Sequence, residues 1–300
     1  MDQASSLRNI VRKETQNLKK KSNGGKSTDA PRVISITSGK GGVGKTNIVG
    51  NLAVAFTKLN KKVMIIDADL GLANIDIIFG IKPKYNIGHV LNGEQKLEDV
   101  IVETESGIKI IPAGSGFANL TELSEIQKMN LLTEFESLDA ELDVVLIDTG
   151  AGISSNVLYF NLAADECLVV ATGEPTSMTD AYATIKVMYT QHGVKYFKLL
   201  VNMVKDEEDA KYVYSTLSQA MDQFLSGVLL EYIGYVPVDE LLAKAVSSRK
   251  PVMELHPDAI SSKKVMKIAE ALLKAPKRRE SDGNIKFFLN RFIDYRVAKE

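Results

Sequence analysis

The chain alternates between short, almost continuously apolar runs and longer segments in which apolar residues recur every three or four positions. Seven apolar runs are typical of strands buried on both faces, and they lie at 32–37, 62–67, 108–113, 143–148, 167–172, 197–202 and 232–237. Helical periodicity occurs at 45–59, 121–138, 154–163, 176–191, 207–223, 239–247 and 261–274. This alternation predicts an α/β fold, a doubly wound and mostly parallel sheet with helices on both faces.

The charge distribution separates the two ends of the chain from its body. Residues 1–30 contain seven Lys or Arg against three Asp or Glu, and residues 274–300 contain eight against four. Because the whole chain of 300 residues has a net charge of −1, the body between these basic ends carries −9. We predict an N-terminal arm at 1–20, a linker at 21–31, one α/β domain at 32–274, a second linker at 275–283 and a C-terminal amphipathic helix at 284–298.

Composition excludes several classes of protein. Hydrophobic residues make up 45% and charged residues 25%, as in ordinary globular proteins. The single cysteine, Cys167, lies in an apolar run, where we expect it to pack as a small hydrophobic residue, and one cysteine excludes a disulfide framework. No apolar run approaches the ~20 residues of a membrane span, and the N-terminus does not resemble a secretory signal. We therefore expect a cytoplasmic protein.

A glycine-rich stretch follows the first predicted strand and opens the first long helix. Its sequence, GKGGVGKT at 39–46, fits the phosphate-loop pattern G-x-x-x-x-G-K-[ST] in the structural context that the pattern requires. The glycines allow backbone N–H groups to converge on phosphate oxygens, and the helix N-terminus favours an anion. We expect Lys45 to contact the β- and γ-phosphates and the Thr46 hydroxyl to bind Mg²⁺.

Aspartates close two of the predicted strands. Asp148 ends the run VVLID, in the position of a Walker B aspartate, while Asp67 and Asp69 follow another strand in IIDADLG. Mg²⁺ prefers oxygen ligands in octahedral geometry, so Thr46, Asp67 and Asp148 are the predicted metal ligands. An aspartate at a strand end can also cap a turn, and this alternative stays open for Asp67.

Lys40 is a second lysine on the same turn, five residues before Lys45. Because Lys45 already serves the phosphates of its own chain, Lys40 could point across an interface. There it would neutralise transition-state charge on the nucleotide of a partner subunit, as an arginine finger does. The alternative is an ordinary solvated lysine of a loop.

These motifs resemble those of the MinD/ParA ATPases over about residues 31–273. SGKGGVGKT resembles the deviant Walker A motif K-G-G-x-G-K-[ST], and IIDADLGLANID resembles the MinD segment with the Walker A′ and switch I aspartates. The resemblance implies that Lys40 reaches across an ATP-bound homodimer, that Asp67 lies at the Mg²⁺ site and that Asp69 orients the attacking water. It also implies a switch II at Gly150, Ala151 and Gly152, and a nucleotide-binding loop of Gly39, Lys40, Gly41, Gly42, Val43, Gly44, Lys45, Thr46 and Asn47.

The nucleotide base is predicted to be adenine. The guanine-reading string N-K-x-D of GTPases does not occur in the sequence. Asn202 and Pro237 each lie at the end of a predicted strand, and in the resembled family these positions, with Val238, flank adenine. Asn202 could also be an ordinary turn former. ATP, ADP and Mg²⁺ are therefore the expected ligands.

The N-terminal arm and the DTGAG segment resemble one branch of this family. MinD proteins usually have D-S-P-A-G, whereas DTGAG at 148–152 resembles the flagellar-number branch called FlhG, FleN or YlxH. By its pattern alone the arm is a marginal amphipathic helix or a disordered terminus. Its DQASSLR, at 2–8, matches the D-Q-A-x-x-L-R motif of the branch, which implies that Asp2, Gln3, Leu7 and Arg8 bind and stimulate a FlhF-type GTPase.

The C-terminal segment has the pattern of an interfacial membrane helix. Apolar residues recur at helical spacing with cations on the other side, as membrane-surface binding requires, and they are Ile285, Phe288, Leu289, Phe292 and Ile293. The alternative is a helix docked on the domain. Both would hold if the helix docks in the ADP or monomeric form and is released in the ATP dimer.

The sequence thus predicts a dimerising ATPase switch at the inner face of the cytoplasmic membrane that regulates flagellar number and placement. Basal-body or transcription-regulator proteins are further expected partners.

A DNA-binding partition ATPase is disfavoured by the acidic body, so no nucleic acid is expected. A division-site MinD is disfavoured by the arm and by DTGAG. A reductase like the nitrogenase iron protein would need more than Cys167 to hold a cluster. An inactive adaptor fits poorly with the intact Lys45, Thr46, Asp69 and Asp148.

Overall fold

The computed structural model describes residues 31–69, 74–114, 130, 133–134 and 142–276 of the chain. The strands in this part are β1 (Arg32–Ser38), β2 (Val63–Ala68), β3 (Val102–Glu103), β4 (Lys109–Ile111), β5 (Val144–Ala151), β6 (Glu166–Ala171), β7 (Tyr196–Val204) and β8 (Leu229–Pro237). They form one sheet in the order β3-β4-β2-β5-β1-β6-β7-β8, and every pair is parallel except β3 with β4. The predicted doubly wound, mostly parallel α/β fold is confirmed.

Helices connect the strands and cover both faces of the sheet. Those bounded within the described residues are α1 (Lys45–Lys58), α2 (Ile75–Phe79), α3 (Ile87–Leu91), α4 (Leu97–Val100), α5 (Ser155–Ala163), α6 (Pro175–His192), α7 (Glu207–Phe224), α8 (Glu240–Ser247), α9 (Val252–Leu255) and α10 (Ile260–Lys274). Helices α1 and α10 pack on one face, whereas α5, α6 and α7 pack on the other. The chain therefore has the three-layer arrangement expected of this fold class.

The central strands are buried on both faces, which explains their continuous apolar sequences. In β1, Ile34 and Ile36 join the apolar cluster beneath α1 and α10, while Val33 joins the cluster beneath α3, α4 and α5. All three side chains are buried. Since successive residues of a strand point to opposite faces, a strand covered on both sides has no polar alternation to reveal its period.

Differences from the prediction lie at the ends of elements and in short elements. All seven predicted strands occur, but β5 continues to Ala151, three residues beyond Asp148. The sequence analysis missed β3, α2, α3, α4 and α9, which have five residues or fewer and are too short to show a period. Local capping fixes α3, since Gly88 N donates to Asn86 Oδ1 at 2.9 Å. The predicted helix at 121–138 lies almost wholly outside the described residues.

Cys167 packs in the core between the sheet and the helices of the second face, as expected. Burial raises the pKa of its thiol to about 12, so the thiol is neutral at physiological pH. Within the described ranges, none of the helices combines the length and apolar character that crossing a membrane requires. The carboxyl ends of β1, β2, β5, β7 and β8 meet at one edge of the sheet, and this edge carries the candidate site.

Candidate functional site

The loop between β1 and α1 forms a cradle of backbone N–H groups. Gly42 and Gly44 both have φ of +81°, a conformation that side chains disfavour. Gly44 is the N-cap of α1 and provides no side-chain hydrogen bond to the helix, which leaves the first N–H groups available to an anion. A Cβ on Gly39 would lie 2.1 Å from the carbonyl carbon of Asp180, so this glycine lets the loop pack directly against α6.

Lys45 turns from the start of α1 toward the aspartates at the ends of β2 and β5. Its Nζ lies 3.2 Å from Asp148 Oδ1 and 4.0 Å from Asp69 Oδ2. Asp67 and Asp148 are register partners on adjacent strands, which brings their carboxylates to the same place. Lys45, Asp67 and Asp148 are all buried. The structure thus brings together the phosphate-loop lysine and the three aspartates that the sequence analysis selected.

This cluster has more negative than positive charge, and the pKa values of Asp67 and Asp148 are raised. Burial, followed by the charge of Asp148, raises the pKa of Asp67 from the usual 3.8 to about 8. Burial also raises the pKa of Asp148, although Lys45 and a hydrogen bond with Thr46 oppose the shift. A group that is poorly solvated and crowded by like charge is stabilised by an added cation.

The donor set fits Mg²⁺. Asp148 Oδ2 is buried and has no hydrogen-bond partner among the described residues, which leaves a carboxylate oxygen able to accept a cation. Thr46 follows Lys45 in the first turn of α1 and lowers the pKa of Asp148, and Asp67 is the next-to-last residue of the neighbouring strand β2. A hydroxyl and two carboxylates are the hard oxygen ligands that Mg²⁺ prefers, with water completing its shell. The capping alternative for Asp67 is also present, since its Oδ1 accepts from Asp69 N at 3.2 Å.

The predicted switch II segment lies beside Asp69. A Cβ on Gly150 would be 3.7 Å from Asp69 Oδ1 and 3.3 Å from Val157 Cγ2. Gly152 has φ of +87°, and its N–H donates to Ser38 O at 2.8 Å, which ties this segment to the end of β1. The segment therefore borders both the phosphate loop and Asp69.

Lys40 has a different environment from Lys45. Its Nζ donates to Glu174 Oε2 at 2.6 Å and to Thr176 Oγ1 at 3.1 Å, at the start of α6. The lysine side chain is 40% exposed and the glutamate 65% exposed. In this single chain Lys40 therefore contacts its own subunit. Sequence reasoning missed Glu174 and Thr176, which lie more than 130 residues away and are not part of any motif.

The residues predicted to flank the base lie on the other side of the phosphate loop. Asn202 Nδ2 donates to Val43 O at 2.8 Å, which fixes the amide against the loop. Pro237 ends β8, and the next residue, Val238, is 70% exposed and donates its N–H to Val204 O at 3.0 Å. Met203, which the sequence analysis did not select, lies beside them, and the only available signal was its place directly after Asn202.

The two ends of the chain carry the remaining predicted functional residues, and both lie outside the described residues. They are Asp2, Gln3, Leu7 and Arg8 in the arm, and Ile285, Phe288, Leu289, Phe292 and Ile293 in the C-terminal segment.

Comparison with known proteins gives consistent results. Residues 29–273 match a family model described as ParA, NUBPL iron-transfer P-loop NTPase. The antiactivator FleN of Pseudomonas aeruginosa is 39% identical over 264 residues, which cover 88% of this chain and 94% of FleN. The flagellum site-determining protein YlxH of Helicobacter pylori is 36% identical, with coverage of 88% and 90%.

The solved structures that resemble this chain include MinD proteins. MinD in the MinC:MinD complex of Aquifex aeolicus superimposes with a TM-score of 0.66 at 28% identity, covering 83% of this chain and all of that one. MinD of Pyrococcus horikoshii, complexed with Mg-ADP, gives a TM-score of 0.63 at 26% identity, with coverage of 81% and 96%.

Proposed function

Because the chain belongs to the ParA/MinD family of P-loop ATPases, in the branch that contains FleN and YlxH, we propose that it is a nucleotide switch that regulates flagellar number and placement. Its ATP-bound form is a homodimer, and hydrolysis returns it to the monomer. The observation that carries this proposal is the pair of lysines on one loop. Lys45 contacts Asp148 and Asp69 of its own site, while Lys40 lies at the surface and contacts neither of them.

Residues around the phosphate loop supply the groups that hydrolysis needs. Lys45 and the backbone N–H groups of the loop hold the phosphates, and Thr46, Asp67 and Asp148 hold Mg²⁺. Bound Mg²⁺ neutralises charge that develops on the phosphate oxygens. Asp69 orients the attacking water, a role favoured by its partly exposed side chain beside Lys45 and Gly150.

In the dimer, Lys40 leaves Glu174 and contacts the nucleotide of the partner subunit. An exposed ion pair is worth less than about 1 kcal/mol, so its loss is a small barrier to this movement. A triphosphate carries several negative charges and attracts the ammonium group more strongly than one solvated carboxylate does. Ile153, directly after the switch II segment, is 49% exposed and provides apolar surface for the interface.

The two ends of the chain connect this switch to partners. We propose that the C-terminal segment binds the cytoplasmic membrane and that two copies in a dimer bind more tightly than one, because the second binding event is intramolecular. The arm stimulates a FlhF-type GTPase through Gln3. Basal-body or transcription-regulator proteins are the further partners expected of a flagellar regulator. The support for these assignments is the sequence pattern of each end and the similarity to FleN and YlxH.

Light scattering and liposome co-sedimentation test the switch. We would compare the full chain with Asp69→Ala, Lys40→Ala and a version ending at Asp282, each with Mg-ADP and with Mg-ATP. Lys211→Ala is the matched control, because Lys211 is also an exposed lysine in an ion pair but lies on α7. We expect ATP to dimerise Asp69→Ala and to drive it onto anionic liposomes. Lys40→Ala should stay monomeric, the shortened version should dimerise without binding liposomes, and Lys211→Ala should behave as wild type. Nucleotide-independent dimerisation or liposome binding would contradict the proposal.

A further inference from the structure

The direction of a nucleotide across the phosphate loop follows from the strand order. The loop follows β1, and the carboxylates that would hold Mg²⁺ beside the terminal phosphates lie on β2 and β5, to one side of it. Strands β6, β7 and β8 lie on the other side. A nucleotide with its terminal phosphates near Asp67 and Asp148 must therefore extend its base toward the ends of β7 and β8.

Met203 occupies this position in an unusual conformation. Its φ is +56°, and the register of β7 against β8 shifts between Asn202 and Val204, so Met203 is the bulged residue. A positive φ costs a residue with a side chain roughly 1–2 kcal/mol and persists only where the surrounding structure enforces it. Such outliers concentrate at functional sites, and bulges redirect side chains away from the sheet.

The side chain of Met203 lies over the phosphate loop and remains accessible. A Cβ on Gly44 would be 3.0 Å from Met203 Cε, so the methyl end of the side chain borders the last glycine of the loop. The residue is nonetheless 48% exposed, and the exposed Val238 directly follows the adjacent strand β8. An apolar surface beside a phosphate cradle is what the flat face of a purine ring requires, and a thioether packs favourably on aromatic rings.

We propose that Met203 is a base-binding residue whose thioether packs against one face of the adenine ring. This inference rests on the proposed function, since it concerns the same nucleotide site. Met203 supplies affinity for the ring, while Asn202 supplies the choice between bases. Because Asn202 Nδ2 donates to Val43 O, its Oδ1 remains an acceptor, which suits the exocyclic amine of adenine and not the oxygen of guanine.

The test measures binding of ATP and of inorganic tripolyphosphate, which lacks the base, by calorimetry with Mg²⁺. We would compare the full-length protein with Met203→Gly and Met203→Leu. Glycine removes the side chain and accepts the positive φ, whereas leucine keeps an apolar side chain with the same strain. Arg249→Gly is the matched control, because Arg249 is an exposed residue with φ of +54° on the loop after α8.

We expect Met203→Gly to bind ATP about tenfold more weakly and to bind tripolyphosphate as wild type does. Its Tm should not fall, because glycine relieves the backbone strain. Met203→Leu should recover most of the affinity for ATP, and Arg249→Gly should keep all of it. If Met203→Gly lost affinity for ATP and for tripolyphosphate equally, the side chain would act by shaping the phosphate loop, and the inference would be overturned. An unchanged affinity of Met203→Gly for ATP would also overturn it. After either of these outcomes the proposed function would stand, provided that the wild-type protein binds Mg-ATP. If the wild-type protein did not bind Mg-ATP, the inference and the proposed function would both be wrong.

Discussion

Most strands of the central sheet begin at one edge, here called the amino edge, and end at the opposite one, the carboxyl edge. Both of these edges bury charged side chains, but only at the amino edge do the positive and negative charges sum to zero. At the amino edge, two cations and two carboxylates alternate across β1, β6, β7 and β8. Arg32 Nε donates to Glu166 Oε1, and Lys198 Nζ lies 3.5 Å from Glu166 Oε2 and 2.7 Å from Glu231 Oε2. At the carboxyl edge, a single lysine faces three aspartates.

This difference separates a structural cluster from a binding site. The charges of the amino-edge groups sum to zero, and each carboxylate lies within ion-pair distance of a cation, although Arg32 Nη2 and Glu166 Oε2 have no hydrogen-bond partner among the described residues. At the carboxyl edge one lysine faces three aspartates, and burial, followed by the charge of Asp148, raises the pKa of Asp67 to about 8. A cavity of about 240 Å³ beside Glu166 and Lys198 lies at the balanced edge, so the presence of a cavity does not identify the site. The deficit of positive charge at the carboxyl edge identifies the site instead.

The largest expected contrast between the two edges is in the rate of ATP hydrolysis after the lysine of each edge is replaced by a neutral residue. Lys45→Ala should lower the rate of ATP hydrolysis by about a thousandfold, because it removes the cation nearest the transferred phosphoryl group. Lys198→Met should leave this rate within a fewfold of wild type. Phosphate release at saturating ATP and at a temperature where both variants are folded measures the difference. Equal losses in the two variants would remove the distinction between the edges.

Breaking the balanced cluster should destabilise the protein. Glu166→Gln removes the carboxylate shared by Arg32 and Lys198, and because both cations are buried, we expect the free energy of unfolding to fall by about 3 kcal/mol. Urea unfolding of the ligand-free protein measures this. Glu207→Gln, which breaks the exposed pair of Glu207 with Lys211 on α7, is the control and should have little effect. A small effect of Glu166→Gln would show that the amino edge is not held by its charges.

The unbalanced edge should make the stability of the ligand-free protein fall as pH rises from about 4 to about 8. In this range the folded protein keeps a proton on Asp67, whose pKa is about 8, while the unfolded chain has lost it near the usual 3.8. The folded state therefore binds more protons, and the slope approaches −1.4 kcal/mol per pH unit for one group. Urea unfolding at several pH values measures the slope. Asp67→Asn should flatten it, and an unchanged slope in this variant would assign it to other groups.

The smallest effect concerns the exposed pair of Lys40 with Glu174. If this contact competes with the movement of Lys40 to a partner subunit, Glu174→Ala should strengthen ATP-dependent dimerisation by up to about fivefold, which corresponds to less than about 1 kcal/mol. Analytical ultracentrifugation of the Asp69→Ala background measures the dimer affinity. Weaker dimerisation in Glu174→Ala would show that the glutamate supports the dimer and does not oppose it.

The phosphate loop and its aspartates could be predicted from the sequence because each is a local motif at the end of an apolar strand. Asp67, Asp148 and Lys45 meet because parallel strands end at a common edge, which the alternation of strands and helices already implies. The contacts of Lys40 with Glu174 and of Arg32 with Glu166 could not be predicted. They depend on β1 lying next to β6, and the order of strands in a sheet is not encoded in any single segment.

The conformation of Met203 was equally inaccessible from the sequence. Nothing in the run FKLLVNMV indicates that the seventh residue leaves the strand register, since methionine is common in apolar strands and rare at positive φ. The bulge arises from the pairing of β7 with β8, and it is therefore a property of the sheet and not of the segment.

The three aspartates at the carboxyl edge outnumber Lys45, and bound Mg²⁺ would compensate this excess of negative charge. Calorimetry of Mg-ADP binding at pH 7, in buffers with different ionisation enthalpies, counts the protons released. Because Asp67 is protonated in the ligand-free protein and must ionise to accept the cation, we predict the release of about one proton by the wild-type protein and of none by Asp67→Asn. Equal proton release by the two proteins, or none by the wild type, would contradict the claim.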